Sequence, residues 1–393
     1  MTSQLLKFDE MLEIAKEKYR QTFQSNPEVA CCAPGRVNLI GEHVDYNDGY
    51  VLPMALPMVT IFLGGKNGTG NTADITTCSQ TADEPKRIQF ETNSPKPGLP
   101  KWANYVKGVI RYFGEPVPGF NAVIMTNVPV GGGLSSSAAL EVSTLAFLQE
   151  ITGKHVESQT ERALICQKAE HNFAHMPCGI MDQLISVAGK KFHALLIDCK
   201  SLETFQIPFE AKDLAVLICN SNVRHELSGS EYGTRREQCL NALQLMGLES
   251  YRQATEDHLS ALRRTAEEVL VKRARHVITE IKRTHEAAKA LRTSDFAKVG
   301  ELMTKSHVSL RDDFEVSCRE LDILVESAIN CPGVLGSRMT GGGFGGCTVT
   351  LVRADRVEQV IATMQQDFQD KCEGRADFYV CTPCDGARVC KLT

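Results

Sequence analysis

The sequence predicts a mixed α/β (α+β) chain built in two parts. Apolar runs with strand spacing alternate with helix-spaced runs along the whole length. Composition shifts over 200–212, so residues 1–205 and 206–393 are expected to form an N-terminal and a C-terminal domain. A length of 393 residues suits two or three domains.

The first helix is expected over 8–24, an amphipathic stretch carrying Asp9, Glu10, Glu13 and Glu17. Short strands follow near 29–33, 36–40, 51–64 and 72–77. The Pro-rich loop 93–100 leads into a helix starting near Trp102, and a strand is expected over 120–125. After a glycine–serine loop comes a helix over 138–151. Leu140, Val142, Leu145, Phe147 and Leu148 make it apolar almost all round, the pattern of a buried helix. A helix over 159–175 and a strand over 193–199 complete the first part. In the second part, a strand over 214–220 precedes helices over 231–246, 256–291, 295–311 and 318–329. A glycine loop at 340–346, a strand over 347–352, a helix over 355–371 and a strand over 376–381 finish it.

Composition excludes several classes. A net charge of −5 argues against nucleic acid or an anionic membrane as the main partner. The N-terminal stretch lacks the apolar core of a signal peptide. The most apolar run, 51–63, is too short to span a bilayer and holds Pro53 and Pro57. A cytoplasmic protein is expected, with a monomer as its assembly. The 15 cysteines are scattered, mostly in apolar runs, and read as reduced, buried small hydrophobes. Cys381 and Cys384 have redox-motif spacing without the strand-to-helix context.

Four places carry chemistry. The segment from Gly35 to Tyr46 gathers Arg36, Glu42, His43 and Asp45 around a turn behind a Val-Asn-Leu-Ile anchor. Carboxylates accept from hydroxyls while Arg and His donate, so this set can grip a sugar-sized ligand; the commonplace alternative is a salt-bridged loop. Gly131, Gly132, Gly133, Leu134, Ser135, Ser136 and Ser137 lie between a strand and the buried helix. Glycine backbone, free N–H groups and the positive end of the helix dipole suit a phosphate there, and a serine can ligate magnesium. The Lys-Ser/Thr ending of a Walker A loop is absent. The glycines of 340–346 carry an entropic cost that points to backbone passing close to a ligand or another loop. Asp182 follows a Pro-Cys-Gly turn, where an N-cap is the usual role and orientation of a hydroxyl the alternative.

Other features read as ordinary. His171 and His175 have zinc-pair spacing, but Asn172 stands where His-Glu-x-x-His needs Glu; Glu170 suits magnesium better. Lys272, Arg273, Arg275, Lys282 and Arg283 interleave with Glu267, Glu268, Glu280 and Glu286, as on a solvated helix face. Trp102 and Tyr105 stand at i, i+3 and could line an aromatic pocket for a base, with core packing as the default.

Three segments together carry a resemblance. Residues 35–46 look like the galactokinase signature, 131–138 resemble the phosphate loop of the GHMP small-molecule kinases, and 340–346 resemble that superfamily's third motif. They occur in the family's order and span nearly the whole chain. The resemblance implies a two-domain GHMP kinase fold with the active site in the inter-domain cleft. It also implies magnesium-dependent transfer from ATP to the C1 hydroxyl of D-galactose.

By the same resemblance Asp182 is the base and Arg36 lies between it, the hydroxyl and the γ-phosphate. Glu42, His43, Asp45, Gly179 and Tyr232 hold the sugar. Ser137 and Glu170 hold Mg2+, Trp102 and Tyr105 flank the adenine, and Arg224 reaches toward the site from the second part. Val44 departs from the Thr most common in the family. An N-acetylgalactosamine kinase and a non-catalytic galactose sensor share the motifs; the undamaged phosphate loop and the presence of Asp182 favour catalysis over the sensor.

Overall fold

The computed structural model describes residues 5–224 and 228–392, and for residues 224 and 228–230 the backbone alone. The first part runs α1 (Phe8–Phe23), β1 (Val29–Asn38), β2 (Tyr50–Val51), β3 (Pro53–Lys66), β4 (Thr72–Thr77), β5 (Arg87–Glu91), α2 (Trp102–Phe113), β6 (Phe120–Thr126), α3 (Ser136–Thr152), α4 (Gln159–Ala169), α5 (Met181–Ala188), β7 (His193–Asp198) and β8 (Thr204–Pro208). There follow β9 (Leu214–Arg224), α6 (Ser228–Leu245), α7 (Glu256–Leu262), α8 (Glu268–Arg292), α9 (Phe296–Asp312), α10 (Arg319–Ile329), β10 (Val334–Thr340), β11 (Gly345–Arg353), α11 (Val357–Cys372), β12 (Asp377–Cys381) and β13 (Arg388–Cys390).

Strands β13-β1-β3-β6-β4-β5 form one sheet in that order. Its middle strand β3 is buried along nearly all its length because both faces are covered. On one face α1 packs Met11, Ala15 and Tyr19 against Cys32, Ile61 and Val123. On the other, α3 drives Phe147 against Phe62 and Phe120, with ring centroids 4.8 and 5.3 Å apart. That burial is why α3 is apolar on every side. A second sheet, β10-β11-β9-β12, is sandwiched between α9 and α10–α11, and a third, β2-β7-β8, is small. Strand β13 brings the end of the chain back to β1.

The structure amends the sequence reading in places. Strands expected at 29–33 and 36–40 are one strand, β1, with a register shift between Pro34 and Arg36. The helix expected over 256–291 is two, because Glu267 is extended and caps a new start. Strands β5, β8, β10 and β13 were not expected; β5, β8 and β13 are edge strands rich in exposed or charged side chains, which weakens their apolar signal. The segment 200–212 carries β8, paired with β7.

Candidate active site

A cavity of about 290 Å³ opens where the ends of β1, α3, α5 and α6 meet. Its walls include Arg36, Glu42, His43, Asp45, Gly131, Gly133, Ser135, Ser136, Ser137, Glu170, Gly179, Asp182 and Tyr232. Gly341 and Gly342, from the second part of the chain, close it.

The register shift in β1 carries the strand onto the phosphate loop. Arg36 N–H donates to the Leu134 carbonyl at 3.0 Å, and a Cβ on Gly35 would stand 2.6 Å from that oxygen. This places the Arg36 side chain at the mouth of α3. Its Nε and Nη2 donate to the two oxygens of Asp182 at 2.8 Å each, and Nη1 donates to the Gly133 carbonyl at 2.5 Å. The Arg36 side chain is 6% exposed and that of Asp182 23%, so the fork is a held, partly desolvated pair and not a surface ion pair. Ser135 Oγ also donates to Asp182. Asp182 is the second residue of α5, where Ile180 takes the cap position. The N-cap role does not apply, because the carboxylate is drawn to a guanidinium 146 residues away.

The phosphate loop is shaped by positive φ at Gly131 (72°), Gly133 (74°) and Ser135 (59°). Ser135 caps α3, so the free N–H groups of its first turn face the cavity mouth. Gly132 is not in the wall but packs under it. A Cβ on Gly346 would lie 3.1 Å from the Gly132 carbonyl, and one on Gly341 3.1 Å from that of Gly133. The third glycine motif therefore runs backbone to backbone against the phosphate loop.

Glu42 is the joint between the first and third motifs. Its Oε1 accepts from Gly341 N–H at 2.7 Å and Thr340 Oγ1 at 3.0 Å, and its Oε2 accepts from Asn38 Nδ2 at 2.8 Å. His43 Nε2 lies 3.1 Å from the Gly342 carbonyl and Nδ1 2.7 Å from the Tyr46 hydroxyl. A carbonyl only accepts, so Nε2 carries the proton. Burial and the nearby cationic groups push the His43 pKa down to about 3, so the ring is neutral. Burial, then the charges of Asp182 and Glu42, raise Asp45 to about 7. Tyr232 rests against Tyr46 and His43, at 5.3 and 5.4 Å between centroids.

Glu170 begins a π-helical turn, Glu170–Ala174, which ends α4 and turns the carboxylate inward. Gln183 Nε2 donates to it at 2.6 Å, Ser137 hydrogen-bonds to it, and burial with the Asp182 charge raises it to about 7. Ser137 and Glu170 thus present oxygen donors side by side where carboxylates crowd, which fits a hard cation. Among the described residues no all-protein cage of three His, Cys, Asp or Glu occurs. His171 is spoken for, its Nε2 being 2.7 Å from the Cys178 carbonyl.

Trp102 and Tyr105 stand on α2 outside the cavity wall; the Trp102 indole is buried and donates to the Pro85 carbonyl at 3.1 Å. Arg224 ends β9, and its side chain lies outside the described residues. Sequence reasoning did not select Gly341 and Gly342 individually, though their motif stood out. It missed Gln183, whose amide carries no motif signal.

Comparison with known proteins gives the family. Residues 17–66 match the family model described as the galactokinase galactose-binding signature, 104–190 the GHMP kinases N terminal domain, and 287–370 the GHMP kinases C terminal. The chain is 53% identical to the galactokinases of Canis lupus familiaris and Homo sapiens, each alignment covering 97% of both proteins. The crystal structure of Lactococcus lactis galactokinase complexed with galactose superposes with a TM-score of 0.90 at 33% identity, over 95% of this chain and 98% of that one. Methanococcus jannaschii mevalonate kinase shares the fold, with a TM-score of 0.62 at 18% identity. A GHMP kinase fold, the signature loop in the cavity wall and this degree of identity place the chain in the galactokinase family.

Proposed function

We propose that the chain transfers the γ-phosphoryl group of ATP to the C1 hydroxyl of α-D-galactose, giving galactose 1-phosphate and ADP, in a cleft between residues 1–205 and 206–393. One observation carries this reading above the others. The Arg36–Asp182 fork stands between the α3 N-terminus and the loop of Glu42, His43 and Asp45, in a single cavity. A phosphate donor at the helix end and a polyol acceptor at the loop would meet at that fork. Family membership supports ATP as the donor and galactose as the acceptor.

Phosphoryl transfer through a loose transition state asks for positioning and charge stabilisation more than for base strength. Arg36 stabilises the transferring group. Asp182, a weak base by its chemistry, orients the C1 hydroxyl and takes its proton late, as the new O–P bond forms and the bridging bond to the β-phosphate breaks. Arg36 and Ser135 occupy three of its four lone-pair directions and leave one for that hydroxyl. Glu42 Oε2 likewise keeps a lone pair beside Asn38, and Asp45, Gly179 and Tyr232 complete the sugar subsite. The amides and hydroxyls of 131–137 cradle the phosphates. Trp102 and Tyr105 flank the adenine from α2, and Arg224 approaches from β9. Ser137 and Glu170 would hold Mg2+, which would shield the phosphate charge.

The compartment we propose is the cytoplasm. All 15 cysteines are free, eight of them buried, and no helix of the described residues is long and apolar enough to cross a membrane. A monomer is proposed as the working assembly.

The test is magnesium-dependent ADP release with D-galactose, D-glucose and N-acetylgalactosamine in parallel. Release with galactose alone is expected. Preferential turnover of N-acetylgalactosamine would move the activity to that sugar, and galactose binding without turnover would make the chain a sensor.

A further inference from the structure

One buried face of α8 carries polar groups that the reaction does not use. His276 and Glu280 stand one turn apart on it, both with no exposed surface. Glu280 Oε1 accepts from Gly41 N–H at 3.0 Å and from Ser306 Oγ at 2.5 Å, while its Oε2 accepts from Arg283 Nε at 2.7 Å. His276 Nε2 lies 3.1 Å from the Glu42 carbonyl, and Nδ1 lies 2.9 Å from Ser309 Oγ. Because a carbonyl only accepts, Nε2 is the protonated nitrogen and Nδ1 accepts from the serine. Phe314 then stacks between the His276 and His43 rings, with centroids 4.5 and 4.9 Å away.

The loop held in this way is an uncommon one. Gly41 has φ +102° and His43 +59°, and a Cβ on Gly41 would stand 2.5 Å from the Tyr50 carbonyl. Consecutive backbone groups, Gly41 N–H and Glu42 C=O, find their partners not in a strand but on α8, more than 230 residues later in the chain. Their neighbours His43 and Asp45 line the sugar side of the cavity. A buried carbonyl that loses its donor is left unsatisfied, and relaxing the loop is the way to recover a partner. Glu42 is also tied through its carboxylate to Gly341 and Thr340, so the relaxation falls on His43 and Asp45.

We infer that His276 and Glu280 are positioning residues that hold the loop of Gly41, Glu42 and His43 from α8 and thereby set affinity for the sugar and not for the nucleotide. This rests on the galactose reading above.

The experiment compares wild type with His276→Phe, which keeps the stack on Phe314 and loses both nitrogens, and with His276→Gln, whose amide can donate to the Glu42 carbonyl. Steady-state constants for each substrate are measured together with amide hydrogen exchange of residues 41–43. His276→Phe is expected to raise the galactose KM at least tenfold, to leave the ATP KM within twofold, and to speed exchange of the loop at least tenfold. His276→Gln is expected to recover much of both. Should the Phe variant not fold, Glu280→Gln, of equal volume, reads the same split. Unchanged galactose KM and loop exchange would overturn the inference, as would equal rises in both KM values with a general loss of thermal stability. If the wild type fails to turn over galactose, the galactose reading falls on its own, and loop exchange alone decides whether α8 holds the loop.

Discussion

Replacing Gly179 with alanine adds one methyl group against Asp45, at the tightest point of the proposed sugar subsite. A Cβ there would stand 1.8 Å from Asp45 Oδ2 and 2.2 Å from its Cγ, where 3.4 Å is an ordinary contact. The Asp45 carboxylate must therefore retreat by about 1.6 Å. The backbone at 179 is not in the positive-φ region, so alanine adds no strain of its own and the effect falls on Asp45. Misplacing a binding group by about 1 Å is worth roughly 10²-fold in rate, or about 2.7 kcal/mol. The expected outcome is a fall of about 10²-fold in kcat/KM for galactose, with the ATP KM within twofold and the thermal midpoint within about 3 °C of wild type. Coupled-enzyme ADP release with each substrate varied in turn, alongside a thermal melt, measures all three. Wild-type kcat/KM in a folded Gly179→Ala protein would refute the placement of Asp45 against the sugar.

Two further outcomes follow from the site. Asp182→Asn keeps the shape of the fork but removes its charge and its base, so kcat is expected to fall about 10²–10⁴-fold while galactose affinity changes little; rapid-quench turnover near wild type would contradict the role given to Asp182. Asp45 has its pKa raised to about 7 by burial and by the Asp182 and Glu42 charges. Its neutral form is thus favoured below about pH 7 in the folded, sugar-free protein. The stability it contributes is fully present below about pH 4 and is lost as pH rises toward 7. A sugar hydroxyl that donates to Asp45 bonds more strongly to the ionised carboxylate than to the neutral acid, so the galactose Kd is expected to rise, by at most about tenfold per pH unit, below 7 and to lose this dependence in Asp45→Asn. Calorimetric titration from pH 5.5 to 8 that shows the same slope in both proteins would remove Asp45 from the binding step.

Local chemistry was the legible part of this molecule. The apolar circumference of α3 announced its burial, and the glycine–serine run announced the loop that caps it, because both are properties of neighbouring residues. Pairings made over long distances in the chain were not legible from the residues themselves. Asp182 read as a cap because nothing in its own neighbourhood points to Arg36. Glu280 and Arg273 read as members of a solvated charged face, yet Glu280 has no exposed surface and Arg273 only 2%. Glu280 meets Gly41, Ser306 and Arg283, while Arg273 meets Gln238, the Asp313 carbonyl and Glu315. The charge pattern along α8 matches an exposed helix, and only the fold shows which turns face inward. The short strand β13 was silent for a related reason, since three residues gain strand character only by pairing with β1.

In the function proposed above, one cavity brings a phosphate donor at the α3 N-terminus and the C1 hydroxyl of galactose together at the Arg36–Asp182 fork. The most direct test is phosphorus NMR of the product formed from ATP and galactose by the purified protein. A single phosphomonoester on C1 with α configuration, formed in step with ADP, is expected. Phosphate on any other hydroxyl, or ADP released with inorganic phosphate alone, would contradict it.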